Sequence, residues 1–193
     1  MTNIPTYKVC IIGPYKCGKT TLVSRMETGT FESNIASTIA ANFSCITLNY
    51  GQGPMTIHLW DTAGQEKYAS IAPIYLRGAH LVLCTESYDR FGDCGLFDES
   101  VLGGIDRLWV LTKTDLKGIN KERDDALASS SGRRMLSRRF DGYDAQVSAR
   151  TGEGVEELKF MIYEKLRMMT TPYSIPDNTD LVSKKRGDKK SCC

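Results

Sequence analysis

Gly13-Pro14-Tyr15-Lys16-Cys17-Gly18-Lys19-Thr20 follows directly on the apolar run Val9, Cys10, Ile11, Ile12 and leads into the helix-compatible stretch Thr21-Leu22-Val23-Ser24-Arg25-Met26-Glu27. The octapeptide fits GxxxxGK[ST], and a strand before it with a helix after it is the setting in which that pattern binds phosphate. Backbone N–H groups curl around phosphate oxygens, glycine lets the main chain come close, and the loop ends on a positive helix N-terminus. Lys19 is then placed to reach the β and γ phosphates of a nucleotide, and Thr20 to offer a hydroxyl to Mg²⁺. Four specified positions also describe an ordinary glycine-rich turn; the flanking strand and helix favour the phosphate reading.

The loop does not choose a base. Leu108-Trp109-Val110-Leu111 is an apolar strand that ends in Thr112-Lys113-Thr114-Asp115. A carboxylate at Asp115 can accept two hydrogen bonds from the guanine N1–H and exocyclic amine, whereas adenine has no such paired donors and leaves the charge unmatched. TKTD resembles the guanine-specificity signature [NT]KxD of the Ras superfamily, with threonine in the place more often held by asparagine, and the resemblance lays Lys113 along the base. The stretch Trp60-Asp61-Thr62-Ala63-Gly64-Gln65-Glu66 closes an alternating strand, Met55-Thr56-Ile57-His58-Leu59-Trp60, and is similar to the switch II signature of small GTPases. By that resemblance Asp61 holds Mg²⁺, Gly64 gives its N–H to the γ-phosphate, and Gln65 orients the attacking water as the catalytic residue.

The same likeness implies nucleotide contacts from Gly13, Pro14, Tyr15, Lys16, Cys17, Gly18, Lys19, Thr20 and Thr21. It places Thr38 as the switch I threonine, a metal ligand beside Thr20 and Asp61 whose backbone senses the γ-phosphate, and Phe31 against the guanine edge. Ser148-Ala149-Arg150 resembles the SA[KR] loop whose alanine N–H meets the base. Ile39-Ala40-Ala41-Asn42-Phe43, Thr56-Ile57-His58-Leu59-Trp60, Lys67-Tyr68-Ala69-Ser70-Ile71 and Tyr75-Leu76-Arg77-Gly78-Ala79 look like the motifs that set Rab proteins apart. Phe43, Trp60 and Tyr75 fall on that family's aromatic effector positions. Tyr15 and Lys16 depart from the usual family residues, and so does Ala40. A phenol beside the reacting phosphate is expected to obstruct an incoming arginine finger, giving slow intrinsic turnover and unusual sensitivity to a GTPase-activating protein.

The last residues, Lys190-Ser191-Cys192-Cys193, do not form a CaaX box, and paired terminal cysteines resemble the Rab form of double geranylgeranylation. One chain binds membrane marginally and two anchor firmly. Lys184, Lys185, Arg186, Lys189 and Lys190 would add attraction to an anionic leaflet. Residues 170–193, with two prolines and few apolar residues, read as a disordered tether with a reach of roughly 25 to 30 Å. Residues 1–169 read as one domain.

The resemblance implies a P-loop NTPase G domain: an α/β fold with a mixed six-stranded sheet, mostly parallel with one antiparallel strand, and helices on both faces. Strand-like runs fall near residues 7–12, 43–50, 55–60, 80–85, 107–112 and 143–147, the second and third joined by Gly51-Gln52-Gly53-Pro54 as a hairpin. Val155, Leu158, Ile162, Leu166 and Met169 form one helical stripe. Glycines at 92, 95, 103 and 104 leave at most a short helix around 96–102. Net charge is +2, which argues against a dedicated nucleic-acid binder, and Arg133, Arg134, Arg138 and Arg139 read as a solvated helix face. The internal cysteines, at 10, 17, 45, 84 and 94, lack CxxC spacing, which points to a reducing, intracellular setting rather than disulfides or zinc. No apolar run is long enough for a signal peptide or a spanning helix.

The expected activity is a Mg²⁺-dependent GTP/GDP switch in vesicle trafficking, working on the cytoplasmic face of an endomembrane and cycling with cytosol. Its expected partners are a nucleotide exchange factor, a GTPase-activating protein, a prenyl-carrier escort and switch-region effectors. Two alternatives are a GTP-binding docking module that no longer hydrolyses, and an ATP-using P-loop kinase.

Overall fold

The structure, a computed structural model, describes residues 4–33, 41–62, 72–90, 102–119 and 144–169. Six strands, β1 (Thr6–Ile12), β2 (Ala41–Asn49), β3 (Pro54–Thr62), β4 (Leu81–Ser87), β5 (Asp106–Thr112) and β6 (Ala145–Gln146), form one sheet in the order β2-β3-β1-β4-β5-β6. The β2–β3 pair is antiparallel, closed at Asn49 opposite Pro54 as the Gly51–Pro54 sequence implies; the other pairs are parallel. Among the described residues three α-helices accompany it: α1 (Lys19–Thr28), α2 (Ala72–Leu76) and α3 (Val155–Arg167).

The central strands are apolar on both sides because both sides are covered. Val9 and Ile11 point, together with Ile57, Leu59, Leu81, Leu83, Leu108 and Val110, into a core closed by Leu22, Val23 and Met26 of α1 and by the α3 stripe Val155, Leu158, Ile162, Leu166. Cys10 and Ile12, one residue out of phase, join Val82, Cys84 and Trp109 on the opposite face, under Leu76 of α2 and Leu102. Tyr163, absent from the sequence stripe, is also fully buried in α3, and its hydroxyl donates to the Gly53 carbonyl at 2.9 Å, pinning the hairpin turn to the helix. Met169 lies past the helix end yet still packs on the core. Glu156 and Glu157 in the first turn of α3, with Lys165 and Arg167 in its last, complement the helix dipole.

This topology places the site. β1, β3, β4, β5 and β6 run the same way, so Ile12, Thr62, Ser87, Thr112 and Gln146 all end at one edge of the sheet. The chain order reverses at β1, between β3 and β4, and crevices at such a reversal are where open α/β sheets take ligands. The expected short helix at 96–102 and the arginine stripe at 133–139 lie outside the described residues, apart from Leu102, which is buried. Among the described residues no helix is long and apolar enough to cross a membrane.

Candidate functional site

Residues 13–18 leave the end of β1 and turn into α1, with the Cys17 N–H bonded to the Pro14 carbonyl at 3.4 Å. Gly18, at φ 91, occupies the N-cap of α1 without a capping side chain, and no acidic residue stands in the first turn. The first N–H groups of α1 thus have no capping side chain to accept from them, which suits an anion. Lys19 is buried, its ammonium donating to the Gly13 and Pro14 carbonyls at 3.0 and 2.8 Å. A cation is therefore held inside the loop by its own carbonyls.

Beside it, the Thr20 hydroxyl donates to Oδ2 of Asp61 at 2.5 Å, joining the start of α1 to the end of β3. Asp61 is 1 % exposed. A hydroxyl and a buried carboxylate set side by side are hard oxygen donors, the chemistry that Mg²⁺ prefers, so the residues present fit that ion. Thr38, the third expected ligand, and Gly64 and Gln65 lie outside the described residues, as do Cys192 and Cys193.

At the other end of the crevice the chain builds a cavity of about 210 Å³ whose lining runs from Gly18 and Thr21 past Phe31 to Thr112, Lys113, Asp115, Ala149 and Arg150. Leu22, Leu116 and Val147 supply apolar wall. Asp115 sits in a 3₁₀ turn, Thr114–Leu116, that follows β5 directly, and the Ser148 hydroxyl donates to its Oδ1 at 2.7 Å. The Arg150 guanidinium stands 4.0 Å from Oδ2 and is two-thirds exposed, so it adds little. Phe31 is 40 % exposed at the rim. The structure thus brings Gly18 of the loop, Thr21, Phe31, Thr112, Lys113, Asp115, Ala149 and Arg150 around one space, while the other loop residues from 13 to 20 do not line it.

Three residues that sequence reading missed hold this arrangement. Thr85 of β4 donates its hydroxyl to the Ile12 carbonyl at 2.8 Å and lies 3.2 Å from the Cys17 thiol, locking the loop to the strand beside it. Glu86 follows it, and the Thr112 hydroxyl lies 2.5 Å from the Cys17 carbonyl and 2.9 Å from the Glu86 carbonyl, tying the end of β5 to the 13–18 loop. Asp89, in the 3₁₀ turn Tyr88–Arg90, pairs with the Lys113 ammonium at 3.0 Å. Burial alone would raise the Asp89 pKa, but hydrogen bonds from Lys113 and Ser87, with the charge of Lys113 and a backbone hydrogen bond, together more than offset it and hold the carboxyl below its ordinary value. The signal for Thr85 and Glu86 was their place at the end of β4, the strand next to β1.

Thr112→Val keeps the side-chain shape and removes the shared donor. It is expected to cost about 1 to 3 kcal/mol of stability, read as a lower unfolding midpoint, and to speed ligand release from the loop. Unchanged stability and release would show that the bridge carries nothing.

A separate surface lies on β2, β3 and α2. Phe43 is 48 % exposed and meets His58 and Trp60 edge-on, with ring centroids at 4.9 and 5.6 Å, and Tyr75 lies 6.5 Å from Trp60. Lys8 extends over Trp60 at 4.7 Å and donates to the Arg77 carbonyl. The Cys10 thiol, pushed up to about 11 by burial, stays protonated and donates to the Tyr75 carbonyl at 3.1 Å. Two carbonyls at the end of α2 are thereby fastened to β1. The three aromatic positions expected to meet partners adjoin one another, Phe43 exposed and Trp60 and Tyr75 partly buried.

The "Ras family" sequence model matches residues 8–168. Similar relatives include Ras-related protein Rab-1D of Dictyostelium discoideum, 29 % identical over 206 residues that cover 97 % of this chain and 95 % of the relative. Ras-related protein Rab-8B of Homo sapiens is 27 % identical over 166 residues, covering 81 % of this chain and 76 % of the relative. The Ras and EF-hand domain-containing protein of Xenopus tropicalis is 27 % identical over 198 residues, and this chain spans only 27 % of its length. Because the family match begins within β1, ends just after α3 and takes in both ends of the cavity, the chain belongs to the Ras family of small GTPases.

Proposed function

We infer that the protein binds GTP and GDP in the crevice above β1 and hydrolyses GTP, acting as a switch at the surface of an intracellular membrane. The observation that carries this reading is the cavity itself. Its lining runs from Gly18, which closes the loop and precedes the buried Lys19, to Asp115, oriented by Ser148. A guanine nucleotide has its anionic and donor-rich ends in that order, and an adenine nucleotide lacks the paired donors for Asp115.

In this reading Lys19 and the first N–H groups of α1 bind the phosphates, while Asp115, Ala149 and Phe31 receive the base and Lys113 lies along it. Thr20, Asp61 and Thr38 would hold Mg²⁺, which when bound would neutralise phosphate charge. Gly64 and Thr38 report the γ-phosphate, and Gln65 orients water. Phe43, Trp60 and Tyr75 present the resulting state to effectors. Exchange factor, activating protein and prenyl-carrier escort follow from the same reading. Membrane attachment rests on Cys192 and Cys193 with the basic residues before them, in a tail from 170 to 193 outside the domain of residues 1–169. The likeness to relatives named Rab supports a trafficking role.

The test is titration of nucleotide-stripped protein with fluorescent guanosine and adenosine nucleotides, with and without Mg²⁺, followed by phosphate release from GTP-loaded protein. Guanosine binding with slow phosphate release is the expected result; failure to bind guanosine nucleotides ends this reading. Binding with no release at all favours the second one, a docking module stabilised by nucleotide, for which Tyr15 in the phosphate loop is the supporting observation. Replacing Cys192 and Cys193 by serine is expected to move the protein from membranes to cytosol, and an unchanged distribution would remove the membrane part.

A further inference from the structure

Two lysines stand in the 13–20 loop and a third, Lys113, lines the cavity next to it, and their ammonium groups are held in different ways. Lys19 is buried on loop carbonyls, and Lys113 is paired with the Asp89 carboxylate. Lys16 is exposed, and what its ammonium meets among the described residues is the face of the Tyr15 ring, 5.3 Å from the centroid. A cation–π hold at an exposed position is weak, so this charge is easily redirected.

The backbone at Lys16 gives a second reason to attend to it. Its φ is 62°, in the left-handed region, where a side chain carries a steric cost that glycine avoids. The chain uses glycine at 13 and 18 of the same loop, yet places a long cation at the strained position between them. Strain kept at a ligand loop is a pointer to a role for the side chain that causes it. Lys16 is exposed in the same loop whose other lysine, Lys19, is turned inward onto the Gly13 and Pro14 carbonyls.

We propose that Lys16 is a second phosphate-binding cation, which leaves the Tyr15 ring for the terminal phosphate of a bound nucleoside triphosphate and so favours GTP over GDP. The proposal rests on the guanine-nucleotide reading and adds to it the source of a preference between the two ligands. Tyr15 is the positioning residue: its ring parks the ammonium at the mouth of the loop and keeps it from extending into solvent. The third phosphate brings additional negative charge to the loop, where an exposed cation attracts it at short range and is screened by salt.

Stripped, full-length protein is titrated with fluorescent guanosine di- and triphosphates in Mg²⁺ buffer at two ionic strengths. Lys16→Gln is expected to weaken GTP binding about tenfold and GDP binding by at most about threefold, with the difference shrinking as salt rises. Lys16→Arg should retain the preference. Tyr15→Leu should give a smaller loss for GTP that disappears in the Lys16→Gln background, the mark of two residues acting as one unit. Lys16→Gly removes strain and charge together, so its stripped form should unfold at a higher temperature while binding GTP less well, a divergence that a purely structural role would not produce. Equal affinities for wild type and Lys16→Gln, or an equal loss for both nucleotides, overturns the proposal with the guanine reading intact. Wild-type protein that binds neither nucleotide overturns both.

Discussion

Asp115→Ala is expected to lower affinity for guanine nucleotides by about 10²- to 10⁴-fold while leaving the weak affinity for adenine nucleotides unchanged. The magnitude follows from two hydrogen bonds to a charged acceptor, each worth about 1.5 to 3 kcal/mol, lost together. The carboxylate is well prepared for that task. Its side chain is only 14 % exposed, Ser148 holds one oxygen at 2.7 Å, and the turn that carries it begins as soon as β5 ends. Little ordering remains to be done when a base arrives, which is why its removal should appear as lost affinity and not as slower association.

The alanine variant also takes away the acceptor of a fully buried serine, so part of its effect could be structural. Asp115→Asn separates the two. Its amide oxygen still accepts from Ser148, but the acceptor-only face toward the base is replaced by one that also carries donors, and donors oppose the guanine N1–H. Normal unfolding with lost guanine binding is the expected result for asparagine, measured by thermal melting and by fluorescent nucleotide titration. Guanine affinity within about threefold of wild type in both variants would mean that the base is read elsewhere.

The features legible in the sequence were those set by local pattern. The apolar runs of β1 and β5 and the alternation of β3 gave the strands, the glycine pair at 51 and 53 gave the hairpin, and the 155–166 stripe gave α3. The loop at 13–20 was legible as a motif between a strand and a helix, and Asp61 and Asp115 through their likeness to family signatures that stand at strand ends. What escaped was produced by topology. Thr85 meets Cys17 across 68 positions of sequence, and Thr112 meets the same residue across 95. Only the strand order β1-β4-β5 makes them neighbours. Asp89 escaped for a different reason: in a glycine-rich stretch with no periodicity, an acidic residue looks like solvated surface until Lys113 is placed beside it. Tyr163 escaped because its hydroxyl suggests an exposed residue, and only the Gly53 carbonyl at the hairpin turn offsets the cost of burying it.

The closest approach in the phosphate loop sets the second large effect. A Cβ at Gly13 would lie 2.2 Å from the Thr85 hydroxyl oxygen, 2.4 Å from the Thr85 carbonyl oxygen and 3.0 Å from the Cys17 sulfur. The hydroxyl could turn away, but the carbonyl belongs to the backbone of β4, which is paired on one side with β1 and on the other with β5. The sheet will not yield, so the loop must. Gly13→Ala is expected to destabilise the fold by about 1 to 3 kcal/mol, several degrees in Tm, and to weaken nucleotide binding further because the displaced Gly13 and Pro14 carbonyls no longer hold Lys19. Adding Thr85→Ala removes the softer of the two collisions and leaves the backbone one, so the double variant should recover less than half of the lost stability. Full recovery would place the whole clash on the threonine side chain. A Gly13→Ala protein that melts and binds as the wild type does would show that the loop stands farther from β4 than these contacts require.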